Sequence, residues 1–139
     1  MKKILVIDAQ GGGIGKQIIS ELLKKEVKAD LLAVGTNSSA TAQMLKAGAR
    51  HAATGENPVI VACRKADFII GPIGIVIADA MFGEITPAMA TAIGQSQARK
   101  ILIPVTSCGN YVAGAGSANL KDHIQEAVSL AADLISKES

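Results

Sequence analysis

Aromatic residues are nearly missing from this chain: Phe68, Phe82 and Tyr111 make up 2% of it, and tryptophan is absent. Binders of single-stranded nucleic acid stack bases on aromatic side chains, and three scattered rings build no such platform. An excess of either charge is missing as well. Fourteen lysines and arginines face twelve aspartates and glutamates, a net +2, without the clustered basic surface that nucleic acid requires. No nucleic-acid partner is expected. Cysteine is scarce: Cys63 and Cys108 stand alone, as reduced thiols do in a cytoplasmic protein. His51 and His123 are isolated too, so no metal set is expected. The longest apolar run, FIIGPIGIVIA between Asp67 and Asp79, is broken by two glycines and a proline and falls short of the ~20 residues that span a bilayer. The start MKKILVIDAQ mimics a secretion signal, but Asp8 interrupts it and glycines follow. The expectation is a cytoplasmic protein with no membrane partner.

What is present is apolar material in quantity. Of 139 residues, 49% are hydrophobic and 19% charged, enough for the core of a single domain, residues 1–139, and too apolar for long disorder. KILVID (3–8) is short, β-branched and continuous, as a strand covered on both faces should be. Helical spacing follows in Ile14, Ile18 and Leu22. Residues 29–36 read as a strand, and 40–48 as a helix capped by Ser38 or Ser39 and ended by Gly48. Asn57-Pro58 signals another helix start with proline at its first position. Residues 66–72 and 100–106 read as strands, and 86–98 as a helix with Thr86 as cap and Pro87 at its first position. NYVAGAG (110–116) suggests a short last strand. An amphipathic helix with Asn119 and Asp122 at capping spacing closes the chain. Strands alternating with helices predict an α/β fold: a doubly wound, Rossmann-like three-layer domain with a mainly parallel sheet.

The turn after the first strand is Gln10-Gly11-Gly12-Gly13-Ile14-Gly15-Lys16. Glycines suit a sharp turn and close approach by a ligand, and the helix behind them offers free N–H groups and a positive dipole end to an anion. Lys16 would add a full charge. A P-loop is disfavoured, because Gln10 replaces its first glycine and Gln17 its magnesium-binding hydroxyl. The dinucleotide pattern G-x-G-x-x-G fits Gly11 and Gly13 and fails at Lys16. Gly13-Ile14-Gly15 resembles the short-chain dehydrogenase turn, but Asp8-Ala9 replaces that pattern's Thr-Gly. The family's Tyr-x3-Lys pair is missing, since Ala115 follows Tyr111. ILVIDAQ also looks like the start of a response-regulator receiver. Ala9 in place of a second acid, and Ile103-Pro104 in place of Lys-Pro, remove that reading.

Dinucleotide folds place an acidic residue ~20 positions past the glycines to hold a ribose. Here that region offers Thr36, Asn37 and Ser38 and no carboxylate. They would suit a ribose or a 2′-phosphate, favouring NADP over NAD; they serve equally as a turn and helix cap. Gly71-Pro72-Ile73-Gly74, Glu84 with Thr86, and Thr106-Ser107-Cys108 end strands or begin helices on the same edge, where open α/β sheets bind ligands. Asp79 and Glu84 are candidates for a general acid and base, and Cys108 for a nucleophile. Against these stand a dipole-stabilised Glu84, a solvent-facing Asp79 and an inert thiol.

The stretches DAQGGGIGKQ, GTNSSAT, TGENPVIVACRKADFIIGPIGIVIADAMFGEITPAMATAIGQS and KILIPV resemble a family of small uncharacterised bacterial proteins of about this length. The likeness covers nearly the whole chain and is loosest in the last helix. Because that family is a domain of unknown function, it implies a single cytoplasmic domain and no particular reaction. The residues then give the expectation of a phosphate-containing small molecule, a nucleotide or dinucleotide, on the glycine turn. No complete catalytic set is visible, so a non-enzymatic ligand sensor or partner-binding module stands as the alternative. A mean hydropathy of +0.34 and the apolar segment from Ile73 to Phe82 predict a homodimer or larger assembly.

Overall fold

A computed structural model describes residues 1–105, 109–116 and 118–138. Among these residues five strands and five α-helices alternate: β1 (Lys3–Asp8), α1 (Gly13–Lys24), β2 (Asp30–Gly35), α2 (Ser38–Lys46), β3 (His51–Thr54), α3 (Glu56–Cys63), β4 (Phe68–Pro72), α4 (Pro87–Gln95), β5 (Arg99–Ile103) and α5 (Leu120–Glu138). A 3₁₀ turn, Ile73–Val76, follows β4. The strands form one all-parallel sheet in the order β3-β2-β1-β4-β5. The chain therefore winds outward from β1 in one direction, then returns to its other side. The reversal falls between β1 and β4.

The continuous apolar run of β1 is explained by cover on both faces. Ile4 and Val6 pack with Ile18, Leu22, Met44 and Val128 on the side of α1, α2 and α5. Leu5 and Ile7 pack with Val59, Ile75, Met89 and Ile93 on the side of α3 and α4. Each such side chain contributes roughly 1.5–3 kcal/mol when fully buried. This is a Rossmann-like three-layer α/β fold. No helix among the described residues is long and apolar enough to cross a membrane.

The structure corrects several local expectations. Residues His51–Thr54 form an edge strand, although HAAT carries only one β-branched residue. No strand forms over 110–116, where Gly114 and Gly116 adopt positive φ of 87° and 63°. Strand β5 stops at Ile103, because Pro104 has no N–H to continue a ladder. Asn37, rather than Ser38 or Ser39, caps α2 by accepting from Ala40 N at 2.9 Å. Helix α3 begins at Glu56, behind Gly55 at φ 110°, which puts Pro58 third. Helix α4 ends at Gln95, three residues short of the expectation. The caps at Thr86 and Asn119 form as expected, to Met89 N at 3.1 Å and Asp122 N at 2.9 Å.

Candidate functional site

Just past the carboxyl ends of β1 and β4, at the reversal point, lies a cleft of about 240 Å³. Its floor is the glycine turn, Gln10 to Ile14. Pro72, Ile73 and Gly74 form the opposing wall, with Met81 and Ala80 above them. Gln17, Asn110 and Leu120 close the remaining side. A larger groove of about 560 Å³ lies at the opposite ends of the strands, near Lys3, Asp30 and His51. Leucine and alanine wall it, and it gathers no comparable main-chain turn.

The turn's glycines do not share one role. A Cβ on Gly12 would stand 2.7 Å from Ala40 Cα and 2.8 Å from Ala40 O, at φ +76°. One on Gly15 would stand 2.6 Å from Met44 Sδ and 2.9 Å from Asp8 Cβ. Those two positions let α1 pack on α2 and β1. Gly11 and Gly13 are exposed on the cleft floor, with nothing within 4 Å of an added Cβ and no left-handed φ. Folding gives no reason for glycine there. Gly71 is a packing residue, since its Cβ would lie 2.5 Å from Ile7 O, whereas a Cβ on Gly74 would lie 2.7 Å from the Met81 methyl, the far end of a flexible side chain.

Asp8 engages the inner N–H groups of the turn. Its Oδ2 accepts from Gly15 N at 2.6 Å and its Oδ1 from Ala9 N at 2.8 Å. The carboxylate thereby satisfies donors that a helix start leaves open. Sequence reasoning considered Asp8 only as a receiver-type acid; the available signal was an acid ending a buried strand just before the turn. The outer N–H groups, on Gly11 and Gly13, make no hydrogen bond to another described residue. Lys16 is exposed and does not line the cleft: Lys16 N already bonds Gly12 O, and its side chain leaves the helix on the outer side.

Glu84 joins three segments that are distant in sequence. Its Oε1 accepts from Gln10 N at 2.9 Å, Thr36 Oγ1 at 2.7 Å and Asn37 Nδ2 at 2.7 Å. Two of the residues expected to meet a ribose are thus engaged by a carboxylate, while Ser38 is exposed at the start of α2. Thr86 caps α4 and donates to Glu56, away from the cleft. Asp79 is exposed and does not line the cleft. It sits in a tight turn where Asp79, Met81 and Phe82 all take φ between 57° and 65°. Non-glycine residues there carry strain of about 1–3 kcal/mol each. In the segment from Ile73 to Phe82 only Ile75 is fully buried; Ala78 and Asp79 are exposed, Phe82 is 92% exposed, and the other residues are half-buried. Cys108, with Thr106 and Ser107, lies outside the described residues. Burial pushes the Cys63 thiol up to about 11, against a smaller opposing effect of Lys100, which makes it inert near neutral pH.

The two carboxyls shift in opposite directions. Burial raises Asp8 above its unfolded 3.8; the Gly15, Ala9 and Ile14 N–H groups oppose this and the Glu84 charge adds to it. A carboxyl raised in the folded state stabilises most below pH 3.8, and that contribution is lost as pH rises through the folded value. For Glu84 burial also pushes upward, but the donors on Gln10, Thr36 and Asn37 outweigh it and hold the carboxyl below 4.5. Its stabilisation is present above pH 4.5 and lost as pH falls through the lowered value. Urea unfolding from about pH 3 to 7 should therefore show opposite trends. The advantage of wild type over Glu84→Gln shrinks on acidification. Asp8→Asn gains on wild type as pH rises. Parallel trends for the two variants would contradict this assignment.

No curated protein matches the chain. The sequence model of one family, described as Domain of unknown function (DUF3842), matches residues 3–136. With nearly its whole length covered, including the glycine turn and every strand that frames the cleft, the chain belongs to that family.

Proposed function

We propose that the cleft binds a phosphate-containing small molecule of the nucleotide class, its phosphate on the glycine turn and its rings against the β4 wall. The observation that carries this reading is the freedom of Gly11 and Gly13. Both lack a packing reason to be glycine, both line the cleft, and both leave N–H groups without a partner among the described residues. Main-chain N–H groups at a helix start are phosphate donors, and glycine lets a ligand reach them.

Among the described residues no lysine, arginine or histidine lines the cleft, while Asp8 does and Glu84 sits at its rim. That balance opposes free inorganic phosphate, a compact charge that needs cations. It suits an ester phosphate carried by rings that the apolar wall can cover. The cleft is also smaller than the roughly 300–1,000 Å³ of common ligand sites. It houses one ring system and leaves the rest of the ligand to cross the turn toward Gln10. No reaction is assigned: neither Asp79 nor Glu84 lines the cleft, and Cys108 lies outside the described residues.

Thermal unfolding followed by calorimetry against NAD, NADP, AMP, ATP and inorganic phosphate tests the reading. Ligand at a hundred times its dissociation constant stabilises by about 2.7 kcal/mol, several degrees for a chain of this size. A nucleotide should raise the midpoint and inorganic phosphate should not. A panel without any nucleotide shift would sink the proposal.

A further inference from the structure

We infer that Glu84 selects the sugar of the bound nucleotide, accepting a ribose with a free 2′-hydroxyl and rejecting a 2′-phosphate. The inference rests on the reading above and goes beyond it by naming the half of the ligand outside the cleft.

Its basis is where three hydrogen bonds place one carboxylate. Glu84 Oε1 lies 2.9 Å from Gln10 N in the glycine turn. It is also 2.7 Å from both Thr36 Oγ1 and Asn37 Nδ2, just past the end of β2. The acid is therefore held between the turn and the β2 end, where dinucleotide-binding sheets place a ribose-binding acid. In those folds the acid is carried by the β2 end itself. Here residues 36–39 have no acid, and the loop before α4 delivers one to the same place from 48 residues beyond Thr36.

Glu84 is also fit to act there. The donors on Gln10, Thr36 and Asn37 hold it ionised and fix it. All three bonds fall on Oε1, and Oε2 accepts none from the described residues. An ionised carboxylate with an open oxygen accepts from a sugar hydroxyl. It repels a phosphate ester at the same position, because like charges in contact disfavour each other. Thr36 and Asn37 alone would have suited a 2′-phosphate, but the carboxylate between them reverses that preference.

The test is titration calorimetry of NAD and NADP on wild type and Glu84→Gln, which retains an acceptor oxygen for Gln10 N. Far-UV circular dichroism and the urea midpoint check that the variant folds. Wild type should bind NAD at least tenfold more tightly than NADP, and Glu84→Gln should bring the two within about threefold. Equal binding of both nucleotides by wild type overturns the role of Glu84 and leaves the cleft reading intact. So does a preference that survives in a folded Glu84→Gln. Absence of binding by NAD and NADP overturns the role of Glu84, and the cleft reading falls with it only when AMP and ATP also leave the midpoint unmoved.

Discussion

Replacing Gly12 with alanine should lower the unfolding free energy by about 2–5 kcal/mol, the largest effect expected from a single methyl at the turn. Two costs combine. At φ +76° the backbone is left-handed, which costs a non-glycine residue about 1–2 kcal/mol. The added Cβ would also press on the main chain of Ala40, at 2.7 Å from its Cα and 2.8 Å from its oxygen. Ala40 is buried at the start of α2 and held by the Asn37 cap, so it yields only if α2 moves off α1. Gly15→Ala should cost less, because its backbone is not left-handed and its nearest contact is the flexible end of Met44, leaving the 2.9 Å approach to Asp8 Cβ as the main cost. For a domain with roughly 5–15 kcal/mol of stability, Gly12→Ala removes a large share. Urea unfolding of the variant measures it, and a loss below about 1 kcal/mol would contradict the packing described.

Gly13→Val should do the reverse: leave folding intact and remove binding. Position 13 opens α1 with no left-handed φ, and nothing lies within 4 Å of an added Cβ. Substituting glycine at such a site restricts the unfolded chain and tends to stabilise by about 0.4–1 kcal/mol. Valine's stiffer side chain gives part of that back. Its two methyls would stand over the N–H groups assigned to the phosphate, and nucleotide affinity should fall at least tenfold, about 1.4 kcal/mol. Packing glycines and ligand glycines thus separate by the sign of their effect on stability.

Much of this was legible in the sequence because the signals were local. The β-branched run of β1, the glycine turn, the Thr86-Pro87 helix start and the Asn119 cap each act within a few residues. Strand β3 was not legible. Its sequence, HAAT, lacks the β-branched pattern, and it exists because Leu32 to Gly35 of β2 offer it a parallel ladder. The site divides in the same way. The turn and the β4 end were visible as glycines and proline on a common edge. The engagement of Glu84 with Thr36 and Asn37 spans 48 and 47 residues, and only the assembled sheet brings them together. Lys16 misled for a geometric reason: its neighbour Gly15 faces the core, and the helical advance turns the following side chain outward.

The most direct measurement is the shift in unfolding midpoint caused by NAD at one fixed concentration, in wild type and in Gly13→Val side by side. With NAD near a hundred times its wild-type dissociation constant, wild type should gain about 2.7 kcal/mol and the variant about half of that or less. The variant's ligand-free midpoint should equal or exceed that of wild type. An equal shift in both proteins would place the ligand away from the glycine turn, and no shift in wild type with NAD or with any other nucleotide of the panel would contradict nucleotide binding by the cleft.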